Sequence, residues 1–306
     1  MLFLLSALLL LVMLFSHGPA RKEEWTMRTI HTRQITEMIE ELCITANYDL
    51  PREITESLRK GYETEESPAG KDILKQILEN ERIAREERCP LCQDTGTACV
   101  YLDIGQEVTL EGPPLREAVD EGVRRGYEKG YLRKSIVRDP LIRENTGDNT
   151  PAMLHTEIVP GNKIKIHVMT KGGGCENMSR LAMLRPSDGR KGIIDFVVNN
   201  VKNAGGNPCP PLVLGVGIGG AFDIVATIAK RALMRGVGIP HPQPNLAELE
   251  RDLLTACNNT GVGPMGLGGR TTVLAVNVEA YPTHIASLPV AMAVNCHSSR
   301  YKSVVI

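Results

Sequence analysis

Apolar residues recur at intervals of three and four from Thr32 to about Leu50, with Ile35, Met38, Ile39, Leu42 and Cys43 on one stripe, and this spacing predicts an amphipathic helix. Cys43 on that stripe reads as core. Pro51 opens a second helix. Ile73, Ile77, Leu78 and Ala84 mark a third that runs through the charged stretch Glu79 to Arg88. At Cys89-Pro90 the pattern turns to a loop, followed by an apolar run from Ala98 to Leu102 and a helix from about Pro113 to Lys129. Period-two alternation over Met153 to Val159 and Lys163 to Met169 puts Ile164, Ile166 and Val168 on one face. With Pro160-Gly161-Asn162 between the two runs, the pair reads as a hairpin.

In the second half a glycine loop, Gly172 to Gly174, leads into a helix, and Gly192 to Asn203 forms another. A buried strand over Leu212 to Val216 precedes a helix from Ala221 to Met234. After the break at Pro240 to Pro244 come a helix to about Thr255 and strands over Thr272 to Val278 and Val290 to Asn295. Helices and strands mix without a regular βαβ repeat. The expectation is an α+β fold: a helical N-terminal region, then mixed helices and a small, largely antiparallel sheet. Residues 1–26 stand apart as an extension from a domain over residues 27–306. Leu2 to Phe15 is almost unbroken apolar sequence, shorter than the ~20 residues a membrane helix needs. It fits a signal-peptide core, but no Lys or Arg precedes it. A signal peptide, a short anchor and a start codon set upstream of Met27 are three readings of it.

Composition removes some functions. With 35 basic and 36 acidic residues in 306, the chain has no basic excess for a nucleic acid. Aromatic residues are 4%, which excludes a base-stacking surface and implies an aliphatic core. Disulfide-stapled scaffolds are normally short and secreted because small cores need covalent help, and a chain this long does not, so the eight cysteines fit better as reduced thiols with a chemical purpose.

Gly215-Val216-Gly217-Ile218-Gly219-Gly220 satisfies the G-x-G-x-x-G pattern of dinucleotide sites. The acidic residue due about 20 positions on is missing from Gly236-Val237-Gly238-Ile239-Pro240, so a tight strand-to-helix turn with close backbone packing is preferred. Cys89-Pro90-Leu91-Cys92 has redox or zinc spacing, yet it runs into a loop and lacks a second close pair. Cys92, Cys209 and Cys296 each sit in an irregular segment, and Cys209 lies between two prolines, on a rigid loop outside any helix. Three loop thiolates can hold a [4Fe–4S] cluster with one iron left open. Three unrelated buried thiols are the plainer alternative.

Several strings, in order along the chain, resemble the alpha subunit of class I, iron–sulfur-dependent fumarate hydratase. They are Pro90-Leu91-Cys92-Gln93-Asp94-Thr95-Gly96, Asn145-Thr146-Gly147-Asp148-Asn149-Thr150-Pro151, Lys171-Gly172-Gly173-Gly174, Asn207-Pro208-Cys209-Pro210-Pro211, Gly263-Pro264-Met265-Gly266-Leu267-Gly268-Gly269-Arg270-Thr271 and Tyr281-Pro282-Thr283-His284-Ile285-Ala286-Ser287-Leu288-Pro289. The alpha subunit of L-tartrate dehydratase is similar. The intact Asn-Thr-Gly-Asp-Asn-Thr-Pro and Gly-Gly-Arg-Thr-Thr segments look more like fumarase.

The resemblance implies that Cys92, Cys209 and Cys296 ligate one [4Fe–4S] cluster whose fourth iron takes the dicarboxylate substrate. It implies that Gln93, Arg133 and Gly174 contact substrate and that Asp94 works with His284 near the cluster. It also implies a separate beta subunit carrying the proton-abstracting base, an α2β2 assembly, a cytoplasmic location and no call for membrane association. Cys175 stands where fumarases usually have serine; it reads as a small side chain and not a ligand.

Overall fold

The computed structural model describes residues 26–306, so the apolar run Leu2 to Phe15 lies outside the described residues. Strand β1 (Arg28–His31) leads into helix α1 (Thr32–Tyr48), whose buried Ile35, Ile39, Leu42, Cys43 and Ala46 keep the expected helical spacing. Helix α2 (Arg52–Thr64) follows Pro51. Helix α3 (Pro68–Glu87) starts with Ser67 accepting the Gly70 N–H and Pro68 at its first position, and ends on Arg88 in the left-handed region. Then come β2 (Thr97–Gly105), β3 (Val108–Glu111), α4 (Leu115–Lys129), β4 (Met153–Val159), β5 (Ile164–Lys171), a four-residue α5 (Gly173–Glu176) and β6 (Arg180–Leu184). The chain closes with α6 (Gly189–Ala204), β7 (Leu212–Gly219), α7 (Phe222–Ala232), α8 (Pro244–Asn258), β8 (Val273–Tyr281), β9 (Leu288–Asn295) and β10 (Tyr301–Val305).

The architecture is α+β, built on two four-stranded sheets in the orders β10-β5-β2-β4 and β6-β9-β7-β8, with β1 and β3 forming a small parallel pair. Antiparallel pairing predominates within the larger sheets, where β2 with β4 and β7 with β8 are the parallel neighbours. One expectation is corrected. β4 and β5 do not pair as a hairpin; both pair with β2, which lies between them. The connection at Pro160 to Lys163 passes over the end of β2, where a side chain on Gly105 would sit 2.3 Å from the Gly161 carbonyl. Alternation identified the strands, but the pairing was decided by β2, whose run is buried on both faces and takes an interior place in the sheet, with β4 and β5 on its two edges.

Alternate residues of β2 feed two cores. Val100, Leu102 and Ile104 face α1 and α4 together with Ile164, Ile166 and Val168. Tyr101 and Cys99 face the other way, into a core shared with α2, α3, α7 and the second sheet. The far face of the second sheet, with Leu212, Leu214 and Val216, is covered by α6 and α8. Gly215 and Gly217 point toward α7, where an added Cβ would lie 2.1 Å from the Ala229 carbonyl and 2.4 Å from the Val225 carbonyl. The glycine string is thus a packing device that lets a helix backbone lie directly on a strand. Among the described residues no helix is long and apolar enough to cross a membrane.

Candidate active site

Four loops meet where the start of β2 and the end of β5 face the start of β7 and the end of β9. The first, Cys92 to Gly96, is set by Leu91, whose N–H donates to the Asn47 carbonyl (2.9 Å) and whose own carbonyl accepts from Asn80 (2.9 Å). The second, Gly172 to Cys175, follows β5. The third carries Cys209 in the left-handed region at φ 56°, with its N–H donating to Gly206 O (3.0 Å). The fourth runs from Cys296 to Arg300 between β9 and β10.

Bonds between the loops fix their relation. Asp94 accepts the Gly96 N–H through one oxygen (3.0 Å) and the Gly173 N–H through the other (2.8 Å). The Cys175 thiol lies 3.5 Å from the Pro208 carbonyl. His297 Nδ1 stands 3.1 Å from the Cys209 carbonyl, which can only accept, so that nitrogen carries the proton.

The thiols of this seam feel one another. Burial pushes the Cys209 thiol up, and the charges of Cys296 and Cys92 push it further. Cys296 is held well below the usual thiol range by the neighbouring Cys175, against the cost of burial, with help from His297, Arg300 and the Ser298 N–H. Cys175 is raised by the neighbouring Cys296 and by burial. Cys43 and Cys257, by contrast, are core thiols raised to about 12 by burial. Among the described residues no three His, Cys, Asp or Glu side chains converge closely enough for a single metal ion. Cys92, Cys209 and Cys296 are sulfur donors on separate loops, the ligand type that an iron–sulfur group would take.

The other expected residues divide. Gln93 adjoins Cys92, whose thiol donates to Gln93 Oε1 (3.3 Å). Gly174 is exposed at the rim, with the Asn207 carbonyl 3.5 Å from where a Cβ would be. The backbone of Arg133 joins the site, its carbonyl accepting from Thr95 Oγ1 (3.1 Å), while its side chain is exposed and makes no ion pair among the described residues. His284 does not join. It sits beyond the end of β8, where Thr283 Oγ1 donates to the Gly220 carbonyl (2.9 Å), whereas Cys296 follows Asn295, the partner of Val213 at the other end of β7. Seven residues of strand at about 3.3 Å each put roughly 20 Å between them. No hydrogen bond or ion pair links His284 to Asp94 among the described residues; its Nδ1 accepts the Ala286 N–H (3.1 Å).

Two further groups belong to the seam. Arg300 is 3% exposed; it donates to Asn47 Oδ1 (3.1 Å) and leaves its Nε without a partner. Lys171, 2% exposed, reaches from the glycine loop to the Val294 carbonyl. Lys171 stands in the family string Lys171-Gly172-Gly173-Gly174, whereas Arg300 is signalled only by lying four residues after Cys296.

The long motifs brace the loops. In Asn145 to Pro151, Asn149 accepts the Ser135 N–H (2.7 Å) and donates to the Gly96 carbonyl (3.2 Å), tying the Arg133 segment to the Asp94 turn. In Gly263 to Thr271, the Met265 N–H donates to Pro210 O (2.9 Å) beside Cys209, and the Arg270 and Thr271 N–H groups point into the buried carboxylate of Glu65 (2.7 to 3.0 Å).

Residues 36–305 match the family model described as fumarate hydratase (Fumerase). The chain is 42% identical over 273 residues (87% of this chain, 95% of the other) to a protein of Methanocaldococcus jannaschii provisionally named L(+)-tartrate dehydratase subunit alpha. It is 30% identical over 277 residues (89% and 91%) to the L(+)-tartrate dehydratase subunit alpha of Escherichia coli K12, and likewise to that of Shigella sonnei. A match over nearly the whole length of the described fold leaves one conclusion: this chain belongs to the fumarate hydratase (Fumerase) family of hydro-lyases.

Proposed function

We propose that the chain is the cluster-carrying alpha subunit of an iron–sulfur hydro-lyase that interconverts fumarate and L-malate, with Cys92, Cys209 and Cys296 as the three cluster ligands. The observation that carries this is the meeting of those three loops with Asp94 and the glycine loop at one seam. When bound, the cluster supplies an open iron that polarises the C–O bond of the hydroxyl to be lost.

The chain's own residues hold the substrate and handle one proton. The exposed Arg133 guanidinium takes a carboxylate bidentately, and the Gln93 amide flanks it. Gly173 spends its N–H on Asp94, so the next turn of backbone, at Gly174, presents the donors without a side chain in the way. His284 accepts on Nδ1, so its proton sits on the exposed Nε2, free for a departing hydroxyl. Because His284 lies at the far end of the sheet from its own cysteines, it serves the Asp94 of a second alpha subunit, which gives the α2β2 assembly a chemical purpose. The base that removes the carbon-bound proton comes from the beta subunit, and the working site is cytoplasmic.

L-tartrate is the second reading, favoured by the names of the relatives. The two motifs that look like fumarase make bracing contacts, so they do not by themselves choose the substrate. The test is anaerobic reconstitution of the alpha–beta pair with iron and sulfide, comparing dehydration of L-malate and L-tartrate. Faster turnover of malate supports the first reading, and faster turnover of tartrate replaces it. Normal cluster absorbance in Cys92→Ser, Cys209→Ser and Cys296→Ser would overturn the ligand set.

A further inference from the structure

Arg300 is a buried cation at the seam with no counter-charge among the described residues. It is 3% exposed, it forms no ion pair with any of them, and its Nε lacks a hydrogen-bond partner. The side-chain bond it does make runs from Nη1 to the neutral Asn47 Oδ1 (3.1 Å). Lys171, the other buried cation here, faces the Glu176 carboxylate at 3.3 Å, so its charge is answered. Asn47 lies in the last turn of α1, and a helix C-terminus offers a cation only about half a charge of opposite sign. A guanidinium keeps its proton in any folded protein, so deprotonation cannot relieve the burial. Buried charges are otherwise paired or bound to an ion of opposite sign, because an unpaired one is costly.

The loops of the seam fix where that charge sits. Arg300 lies on the Cys296 loop, whose turn is held by Asn295 Nδ2 donating to Ser299 Oγ (3.0 Å), and its carbonyl accepts the Thr170 N–H (3.1 Å) at the end of β5. Asn47, which holds the guanidinium, also accepts the Leu91 N–H on its carbonyl (2.9 Å), one residue before Cys92. On the glycine loop, a Cβ added to Gly172 would lie 3.5 Å from Arg300 Nη2 and 3.3 Å from Asp94 Oδ2. The free cation thus stands among the Cys92, Gly172 and Cys296 loops. We propose that Arg300 is the counter-cation of the iron–sulfur cluster, its fixed charge offsetting that of the cysteine-ligated group and raising its reduction potential. The inference rests on Cys92, Cys209 and Cys296 being the ligands. An added electron makes such a group more negative, and a cation beside it favours that state.

The experiment uses the alpha–beta pair reconstituted with iron and sulfide without oxygen. Dithionite supplies the electron, and the midpoint potential of the cluster is read by electron paramagnetic resonance. In Arg300→Gln the reduction equilibrium should fall roughly tenfold or more, which is about 59 mV for one electron. Arg300→Lys, which keeps the charge, should recover most of that difference. Arg300→Met is a second neutral variant, suited to a buried place, and it carries the test if Arg300→Gln fails to fold by circular dichroism. A merely structural Arg300 would lower the melting temperature and leave the potential of the assembled cluster where it was. Equal potentials in wild type and the neutral variants overturn the proposal. An unchanged potential with a raised KM also overturns it, and gives Arg300 to a substrate carboxylate instead. If the wild type binds no cluster, the ligand reading fails and takes this proposal with it. A normal wild-type cluster with unmoved potentials sinks this proposal alone.

Discussion

Asp94 accepts the Gly173 main-chain N–H at 2.8 Å, and this bond joins the cysteine-bearing loop before β2 to the glycine loop after β5. Its other oxygen closes the turn at Gly96, which holds φ +75° and where any Cβ would lie 2.6 Å from the Lys171 backbone. The carboxylate therefore holds the seam together through both of its oxygens, and under the proposed function it also faces the substrate.

Those jobs separate on substitution. Asp94→Asn keeps an oxygen for one N–H while removing the charge that orients the proton donor. The cluster should still assemble, with hydration falling roughly 10²–10⁴-fold, the usual worth of a general acid–base partner. Asp94→Ala frees both loops, so cluster absorbance should fall as well. Equal loss of cluster in the two variants would make Asp94 a structural residue only.

The separation of His284 from Cys296 along β7 makes a stronger demand. If each site takes Asp94 from one alpha subunit and His284 from another, two dead variants should rescue each other. Asp94→Asn and His284→Asn alpha chains, unfolded together and reassembled with beta subunit, should regain about a quarter of wild-type activity through hybrid assemblies with one intact site. Rescue is read as fumarate hydration after mixing. Its absence, with hybrids verified by mass, puts both residues in one chain's site.

Gly217 tests the packing reading of the glycine string. A methyl there would meet the Val225 carbonyl at 2.4 Å, and backbone cannot step aside as a long side chain can. Gly217→Ala should cost about 1–3 kcal/mol, the range for overpacked cores, and lower the melting temperature. An unchanged melting temperature would show that α7 does not bear on the strand.

Much of this was legible in the chain, and the losses share one cause. The α1 stripe, the β2 and β7 runs and the helices after Pro51 and Pro244 follow from local periodicity, which one stretch of sequence carries in full. The partner of β4, the short edge strands β6 and β10 and the burial of Arg300 depend on what arrives from elsewhere in the chain. At the site, the residues beside cysteines in sequence could be found from sequence. The distance from His284 to its own cysteines could not, because a resemblance aligns residues without saying which copy of the chain they serve.

Glu65 supplies a test by pH. Its carboxylate, 2% exposed at the α2–α3 junction, receives N–H groups from Glu66, Ser67, Arg270 and Thr271. Burial alone would raise it, but the backbone donors of Arg270, Ser67 and Thr271 overcome that and hold it at about 2, below its ordinary 4.5. A carboxyl lowered in the folded state stabilises the fold fully above its ordinary value, and that contribution drains away as pH falls from about 4.5 toward 2. A depression of this size is worth roughly 3 kcal/mol at neutral pH. Glu65→Gln should therefore lower the urea midpoint strongly at pH 7, with the two curves converging as pH falls through that window. Because the same motif donates the Met265 N–H to Pro210 O beside Cys209, the variant should also release its cluster faster to a chelator at pH 7. A stability difference that stays constant from pH 7 to pH 3 would mean that the charge on Glu65 is not what holds the loop.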